Sequence, residues 1–146
     1  ADCPLIDPKI IDLCIKKFLS KKFDFVANTS PPNNKSYPDG VDVEVFSFKT
    51  IKKVNSKCKS KKDLEHVTPY IWRKKKEFKL FRFNLKKDLS KYRFTLDYKE
   101  DFVLIKKIII NLYNKKKKIT MNSVIQYIKQ NKNAYLINLK RNSFAK

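Results

Sequence analysis

One glycine, one histidine and three cysteines in 146 residues close off several kinds of chemistry before any motif is read. The single glycine, Gly40, cannot supply a glycine-rich loop that cradles phosphates. Its own position is expected to need a positive φ or a close approach of the backbone. The single histidine, His66, has no second histidine or nucleophile motif to work with, and a lone histidine is more often a packed or capping side chain than a catalyst. Cys3, Cys14 and Cys58 are odd in number, widely spaced and free of any C-x-x-C pattern. That argues against a disulfide framework or a structural zinc site and leaves reduced thiols, with Cys14 expected in the core. No run approaches the ~18 consecutive apolar residues of a membrane span, and no leader of charged, apolar and small residues opens the chain, so a cytoplasmic location is expected.

Acidic residues are also scarce: Asp and Glu number 14 against 35 Lys and Arg, for a formal net charge of +21. Such an excess ordinarily points to nucleic acid, because clustered cations release condensed counterions from phosphates. Arginine, however, occurs only at Arg73, Arg82, Arg93 and Arg141, whereas base and phosphate recognition favours its planar fork over lysine. The chain is also rich in Ile, Asn, Phe and Tyr, whose codons are rich in A and T, so composition bias is the simpler cause. The runs Arg73-Lys74-Lys75-Lys76 and Lys115-Lys116-Lys117-Lys118 read as solvated helix ends or loops. The charge still favours anionic partners, nucleotides included, by long-range steering.

What is present suffices for one modest domain. At 42% hydrophobic and 13% aromatic the chain can build a core, and no repeat or linker divides residues 1–146. Asp7-Pro8 starts a helix whose apolar face, Ile10, Ile11, Cys14, Ile15, Phe18 and Leu19, should cover a sheet. Residues 23–28 read as a strand, 29–38 as a loop punctuated by proline and asparagine, and Asp39-Gly40 as a turn. Residues 41–46 alternate, predicting a strand that buries three valines and projects Asp42 and Glu44 together from its other face. Ser47 caps a helix to about Ser56, and a second helical stretch from about Lys62 to Arg73 breaks near Thr68-Pro69. Residues 78–83 and 92–96 read as further strands. From Lys99 to about Tyr113, Phe102, Ile105, Ile108, Ile109 and Leu112 predict a helix buried over most of its surface, serving either a core or a homodimer. Thr120 caps a last helix with Val124, Tyr127 and Ile128 inside, and the tail after Asn131 shows no pattern. Helices and strands interleave throughout, which predicts an α/β fold around a mostly parallel or mixed sheet.

Two acidic motifs stand out: Ala1-Asp2-Cys3-Pro4-Leu5-Ile6, and Thr95-Leu96-Asp97-Tyr98-Lys99-Glu100-Asp101-Phe102. Each places one Asp where a strand hands over to a loop or helix, which is where open α/β sheets gather ligands. Asp2 and Asp97 together read as a metal pair. The plainer readings are that Asp2 ends a strand and Asp97 caps the helix after it. The chain opens directly on the first motif, so a truncated or partial domain is expected.

Four stretches, taken in order, resemble the cytidylyltransferase family: Asp2-Cys3-Pro4-Leu5-Ile6-Asp7-Pro8, then Tyr37-Pro38-Asp39-Gly40-Val41-Asp42-Val43-Glu44-Val45-Phe46, then Glu65-His66-Val67-Thr68-Pro69-Tyr70-Ile71, then Arg93-Phe94-Thr95-Leu96-Asp97-Tyr98-Lys99-Glu100-Asp101-Phe102. Within it they are similar to the branch of spore coat polysaccharide biosynthesis protein F. The resemblance implies a nucleotide-diphospho-sugar transferase-like fold lacking the family's opening strand and phosphate-gripping loop, so that this stretch alone would be inactive. Ala1 and Lys99 stand where the family usually has Gly and Pro; Lys99 should remove only a helix-start preference.

The activity that the resemblance implies is transfer of a cytidylyl group from CTP to a sugar or sugar acid, releasing pyrophosphate, in surface polysaccharide biosynthesis. Such phosphoryl transfer gains mostly from positioning and charge neutralisation, hence Mg²⁺ and paired carboxylates. By the motifs Asp2 and Asp97 would hold the metal, with Tyr37, Asp39, Asp42, Glu44, His66 and Arg93 as substrate-binding candidates. A solvated strand face remains the plain alternative for Asp42 and Glu44, and a structural role for Tyr37, Asp39 and Arg93. The competing functional class is a non-enzymatic basic module that binds RNA or another polyanion, or a degenerate relative that keeps the fold as a partner-binding surface.

Overall fold

Phe25, Val26 and Ala27 are fully buried and form the central strand, β1 (Phe25–Ala27), of a three-stranded mixed sheet. Its neighbours are β2 (Glu44–Phe46), antiparallel with Val26 opposite Val45, and β3 (Leu80–Arg82), parallel with Val26 opposite Phe81. The computed structural model describes residues 2–141; Ala1, and the tail beyond Arg141, lie outside the described residues. The described chain falls into two units, one made of residues 11–35 and 43–84 and the other of residues 2–10, 36–42 and 85–141.

The sheet belongs to the first of these. Its three strands are shorter than the alternation predicts, and Asn28 explains one end. The fully buried Asn28 side chain accepts the Val43 N–H through Oδ1 at 2.8 Å, so the ladder stops at the Ala27–Glu44 pair. As a correction to the expected six-residue strand, Asp42 precedes β2 and does not share a strand face with Glu44. Val41 and Val43 are buried and Val45 only half-buried.

Helix α2 (Phe48–Lys57) begins where Ser47 Oγ accepts the Thr50 N–H at 3.0 Å. After it, α3 (Lys61–His66) and α4 (Pro69–Arg73) are separate, as Pro69 demands, with Val67 at φ 57° between them. Phe25, Ala27, Val54, Ile71 and Phe78 close a common core, with Phe46, Ile51 and Trp72 packed against it. Arg82 pins the loop after β1 by donating to the carbonyls of Pro31, Asn33 and Asn34 at 2.5, 2.7 and 3.0 Å.

Helix α1 (Pro8–Leu19) starts as expected: Asp7 Oδ1 accepts the Lys9 N–H at 2.9 Å. Its expected apolar face is narrower, since Ile10 and Cys14 are buried while Ile15 and Leu19 are exposed. Lys17 Nζ lies 4.1 Å from the centroid of the Phe81 ring on β3, so the second half of α1 does meet the sheet.

The second unit holds α5 (Lys99–Asn114), α6 (Met121–Gln130), α7 (Lys132–Leu136) and a 3₁₀ turn at Leu139–Arg141. The carboxylate of Asp7 serves two helices here, because Oδ2 also accepts the N–H of Met121 at 3.0 Å. Thr120 caps α6 reciprocally with Ser123, and Val124, Tyr127 and Ile128 are buried as expected. The expectation that α5 is buried over most of its surface is corrected. Leu104, Ile105, Ile108 and Leu112 face inward, but Phe102 is 54% and Tyr113 81% exposed, because at 3.6 residues per turn one neighbour covers only one stripe. The strand expected over residues 92–96 is likewise a loop, with a single parallel bridge between Asp39 and Arg93. Gly40 at φ 84° turns the chain away immediately after Asp39, so the pairing cannot propagate. Among the described residues no helix is long and apolar enough to cross a membrane.

Truncating Ile71 in the sheet core should cost about 2–5 kcal/mol. Denaturant unfolding of Ile71→Ala against the parent protein measures it.

Candidate functional site

Three stretches remote in sequence meet in the second unit: residues 2–3, 39–42 and 93–101. Gly40 makes the meeting possible. A Cβ at Gly40 would stand 2.1 Å from Thr95 N and 2.2 Å from the Phe94 carbonyl carbon, so the turn lies directly on the 94–95 backbone where no side chain fits. Asp39 clamps the same segment by taking the Phe94 N–H on its carbonyl at 2.7 Å and donating its own N–H to the Tyr92 carbonyl at 3.1 Å. The Asp2 carbonyl accepts the Leu96 N–H at 2.8 Å, which sets Asp2 beside the residue preceding Asp97.

Asp42 closes the turn on itself. Its Oδ2 accepts the Gly40 N–H at 2.8 Å and lies 3.9 Å from Cys3 Sγ. Burial pushes the Cys3 thiol up to about 11, and the charges of Asp42 and Asp2 add to the rise while an Asp42 backbone hydrogen bond opposes it. Cys3 is therefore a neutral thiol near pH 7.

Asp97 is anchored on one oxygen. Oδ2 takes Arg93 Nη2 at 2.5 Å and Thr95 Oγ1 at 3.4 Å, and the side chain is 46% exposed. Arg93 is in turn held by Asp101, whose Oδ1 and Oδ2 receive Nε at 3.2 Å and Nη2 at 3.0 Å. Asp101 is 0% exposed and accepts three more hydrogen bonds: from the N–H groups of Asp97 and Tyr98 at 3.1 and 3.0 Å and from Asn138 Nδ2 at 2.8 Å. Burial by itself would raise the Asp101 carboxyl, but the donors from Arg93, Asn138, Asp97 and Tyr98 together hold it below the usual carboxylate range. Burial likewise works to lower the Arg93 guanidinium, and its two carboxylates more than offset this and raise it.

The site candidates therefore separate. The segments bearing Asp2, Asp39, Asp42, Arg93 and Asp97 come together; Tyr37 lies in the interior of the same unit at 4% exposure. Glu44, half-buried at the start of β2, and His66, exposed at the end of α3, belong to the sheet-bearing unit. Sequence reasoning missed Asp101 and Asn138. An acid three residues into a helix was the available signal for Asp101, whose carboxylate does accept the N-cap Tyr98 N–H, but Tyr98 is not a usual cap residue. Asn138 had no signal in a segment without periodicity.

The donor chemistry fits a hard divalent cation. Asp2 and Asp97 are exposed carboxylates on neighbouring backbone positions, and the Asp97 contacts fall on Oδ2, leaving Oδ1 open among the described residues. Mg²⁺ typically takes one or two carboxylates and completes its shell with phosphate and water. Among the described residues no group of three or more His, Cys, Asp or Glu is placed to hold a metal by itself. In the sheet-bearing unit, a groove of about 730 Å³ is lined by Lys22, Lys75, Lys76, Lys79 and Arg82 together with Asp24 and Glu77.

Against solved structures, the chain aligns with a cytidylyltransferase from Leptospira borgpetersenii serovar Hardjo-bovis at a TM-score of 0.81 and 32% identity, over 92% of this chain and 55% of that one. The fold is that of a cytidylyltransferase. Among curated sequences, it is 33% identical over 105 residues to an uncharacterised protein of Methanocaldococcus jannaschii, an alignment covering 70% of this chain and 41% of that protein. The chain thus spans about half or less of the length of these relatives. No protein-family model matches it.

Two outcomes follow from this geometry. Gly40→Ala combines an unfavourable φ with a backbone collision and should destabilise by more than about 2 kcal/mol, read from the unfolding midpoint. Because the Asp101 pKa is depressed by folding, its stabilisation is complete above the ordinary carboxylate pKa of about 4 and is lost as pH falls through the lower folded value. Asp101→Asn should therefore lower stability at pH 7 and flatten its decline as pH falls below about 4, as thermal melts across the acid range will record.

Proposed function

We propose that this chain is the metal- and acceptor-binding part of a Mg²⁺-dependent cytidylyltransferase that makes a CMP-sugar for surface polysaccharide. The observation that supports the reading is the backbone hydrogen bond that sets Asp2 beside Leu96, the residue before Asp97, in a chain that aligns at 32% identity with a cytidylyltransferase. In the reaction a hydroxyl oxygen of a sugar or sugar acid forms a bond to the α-phosphorus of CTP. The bond from that phosphorus to the bridging oxygen breaks, pyrophosphate leaves, and the hydroxyl proton passes to solvent or to the departing phosphate. Bound Mg²⁺ supplies charge neutralisation at the phosphates.

Asp2 and Asp97 would hold that ion through their exposed carboxylates, while the Gly40 turn packs on the 94–95 backbone ahead of Asp97. Asp39 and Asp42 sit on the same turn and would meet acceptor hydroxyls there; Tyr37, buried just ahead of it, is a further substrate-binding candidate. Glu44 and His66 remain substrate-binding candidates of the other unit. The single glycine, spent in the 39–42 turn, supplies no glycine-rich loop for the triphosphate.

The test is pyrophosphate release by the intact protein from CTP, Mg²⁺ and a panel of sugars and sugar acids. Turnover should require the metal, and Asp97→Asn should lower it by about 100-fold or more, the several kcal/mol that a metal's charge stabilisation is worth. Unchanged turnover in Asp97→Asn would refute the metal assignment. Salt-sensitive RNA binding that ignores CTP and survives loss of Asp2 and Asp97 would instead favour the polyanion reading, for which the lysine-lined groove offers the surface.

A further inference from the structure

We propose that Asp101, Arg93 and Asn138 form a positioning relay that aims the Asp97 carboxylate and preserves its charge, so that the C-terminal segment sets how tightly the site holds its divalent cation. This deepens the reading of Asp97 as a metal ligand and rests on it.

Asp97 occupies a loop and is 46% exposed, so its carboxylate would rotate freely unless something fixed it. Arg93 Nη2 fixes Oδ2 at 2.5 Å, with Thr95 Oγ1 at 3.4 Å on the same oxygen, which directs Oδ1 away from both. A guanidinium on a long side chain can only aim another group if it is itself held. Both oxygens of Asp101 grip Arg93, at 3.2 and 3.0 Å, using the planar fork that lysine lacks. Asp101 in turn cannot move: it is 0% exposed and accepts five hydrogen bonds, two of them from the amides of Asp97 and Tyr98.

Asn138 locks the arrangement from outside the loop. Its Nδ2 donates to Asp101 Oδ1 at 2.8 Å and to the Arg93 carbonyl at 3.1 Å, and the residue is 2% exposed. Three residues on, Arg141 places its guanidinium 4.3 Å from the Tyr98 ring and pairs with Glu100 at 3.1 Å. The segment from α7 onward thus grasps the loop at both ends.

Charge gives the relay its direction. One cation, Arg93, stands between two carboxylates, Asp97 and Asp101, so these three charged groups together carry a net negative charge that remains available to a metal. With Asp101 neutralised, the full Arg93 charge would fall on Asp97 and compete with the metal. With Asn138 shortened, the charges stay but the aim relaxes. Outer partners of metal ligands typically contribute about 10- to 100-fold in metal affinity.

The test is Mn²⁺ titration of the intact protein, followed by the electron paramagnetic resonance of free Mn²⁺, with melting curves taken in parallel. Asp101→Asn and Asn138→Ala should each raise the Mn²⁺ dissociation constant about tenfold or more, and Asp101→Glu should recover part of the loss. Ile71→Ala, in the sheet core, should lower the melting temperature and leave Mn²⁺ affinity alone. If Asp101→Asn fails to fold, Asn138→Ala carries the test, since it leaves four of the five hydrogen bonds on Asp101. Lowered melting temperatures with parental Mn²⁺ affinity would make the trio structural only and overturn the relay. A parent protein that binds no Mn²⁺, or Asp97→Asn binding it normally, is a different result: it overturns the metal reading itself, and the relay with it.

Discussion

A carboxylate sealed from water must be either neutral or surrounded by donors, and Asp101 is surrounded. Its five hydrogen bonds come from a guanidinium, two loop amides and the amide of Asn138. Desolvating a charge without such partners would cost several kcal/mol, so the donors have to arrive together: the 93–98 loop, the first turn of α5 and the segment after α7 are ordered as one. The exposed Asp97 inherits its placement from that buried neighbour. The surface of the site is thus held by chemistry one layer beneath it.

Gly40 does the corresponding work on the other side of the loop. Its φ of 84° and its contact with the Phe94–Thr95 backbone bring the 39–42 turn flush against the loop, and Asp2 pairs further along it through Leu96. Asp2, Asp42 and Asp97 consequently lie on backbone segments that meet, in a chain whose net charge is +21. Global charge steers anions toward the molecule, whereas this local acidic group suits a cation. The two tendencies are compatible where the ligand is an anionic phosphate chain that carries a metal with it.

Much of the fold was legible in short-range signals. Asp7, Ser47 and Thr120 each cap the helix that they were expected to cap, and the break at Pro69 and the positive φ of Gly40 are present, because caps, proline and glycine act on their own backbone within a few bonds. Burial was less legible. Phe102 and Tyr113 share the apolar character of Ile108 yet lie on the outer side of α5, and composition does not say which stripe finds a neighbour. The 92–96 segment had strand chemistry but only one bridge, since its partner turns away at Gly40.

The site divides along the same line. Sequence alone determined the local pieces: one glycine at a turn that needs it, Asp97 at the entry to α5, an α/β order of elements, and four ordered motifs that resemble those of cytidylyltransferases. Tertiary structure alone decided that Asp2 lies beside Leu96, that Arg93 is spent between two carboxylates, that Glu44 and His66 belong to a different unit from Asp97, and that a patternless tail supplies Asn138. Those contacts join residues between 4 and 94 positions apart, and a hydrogen bond across such a span depends on where every intervening segment packs, which no local preference encodes.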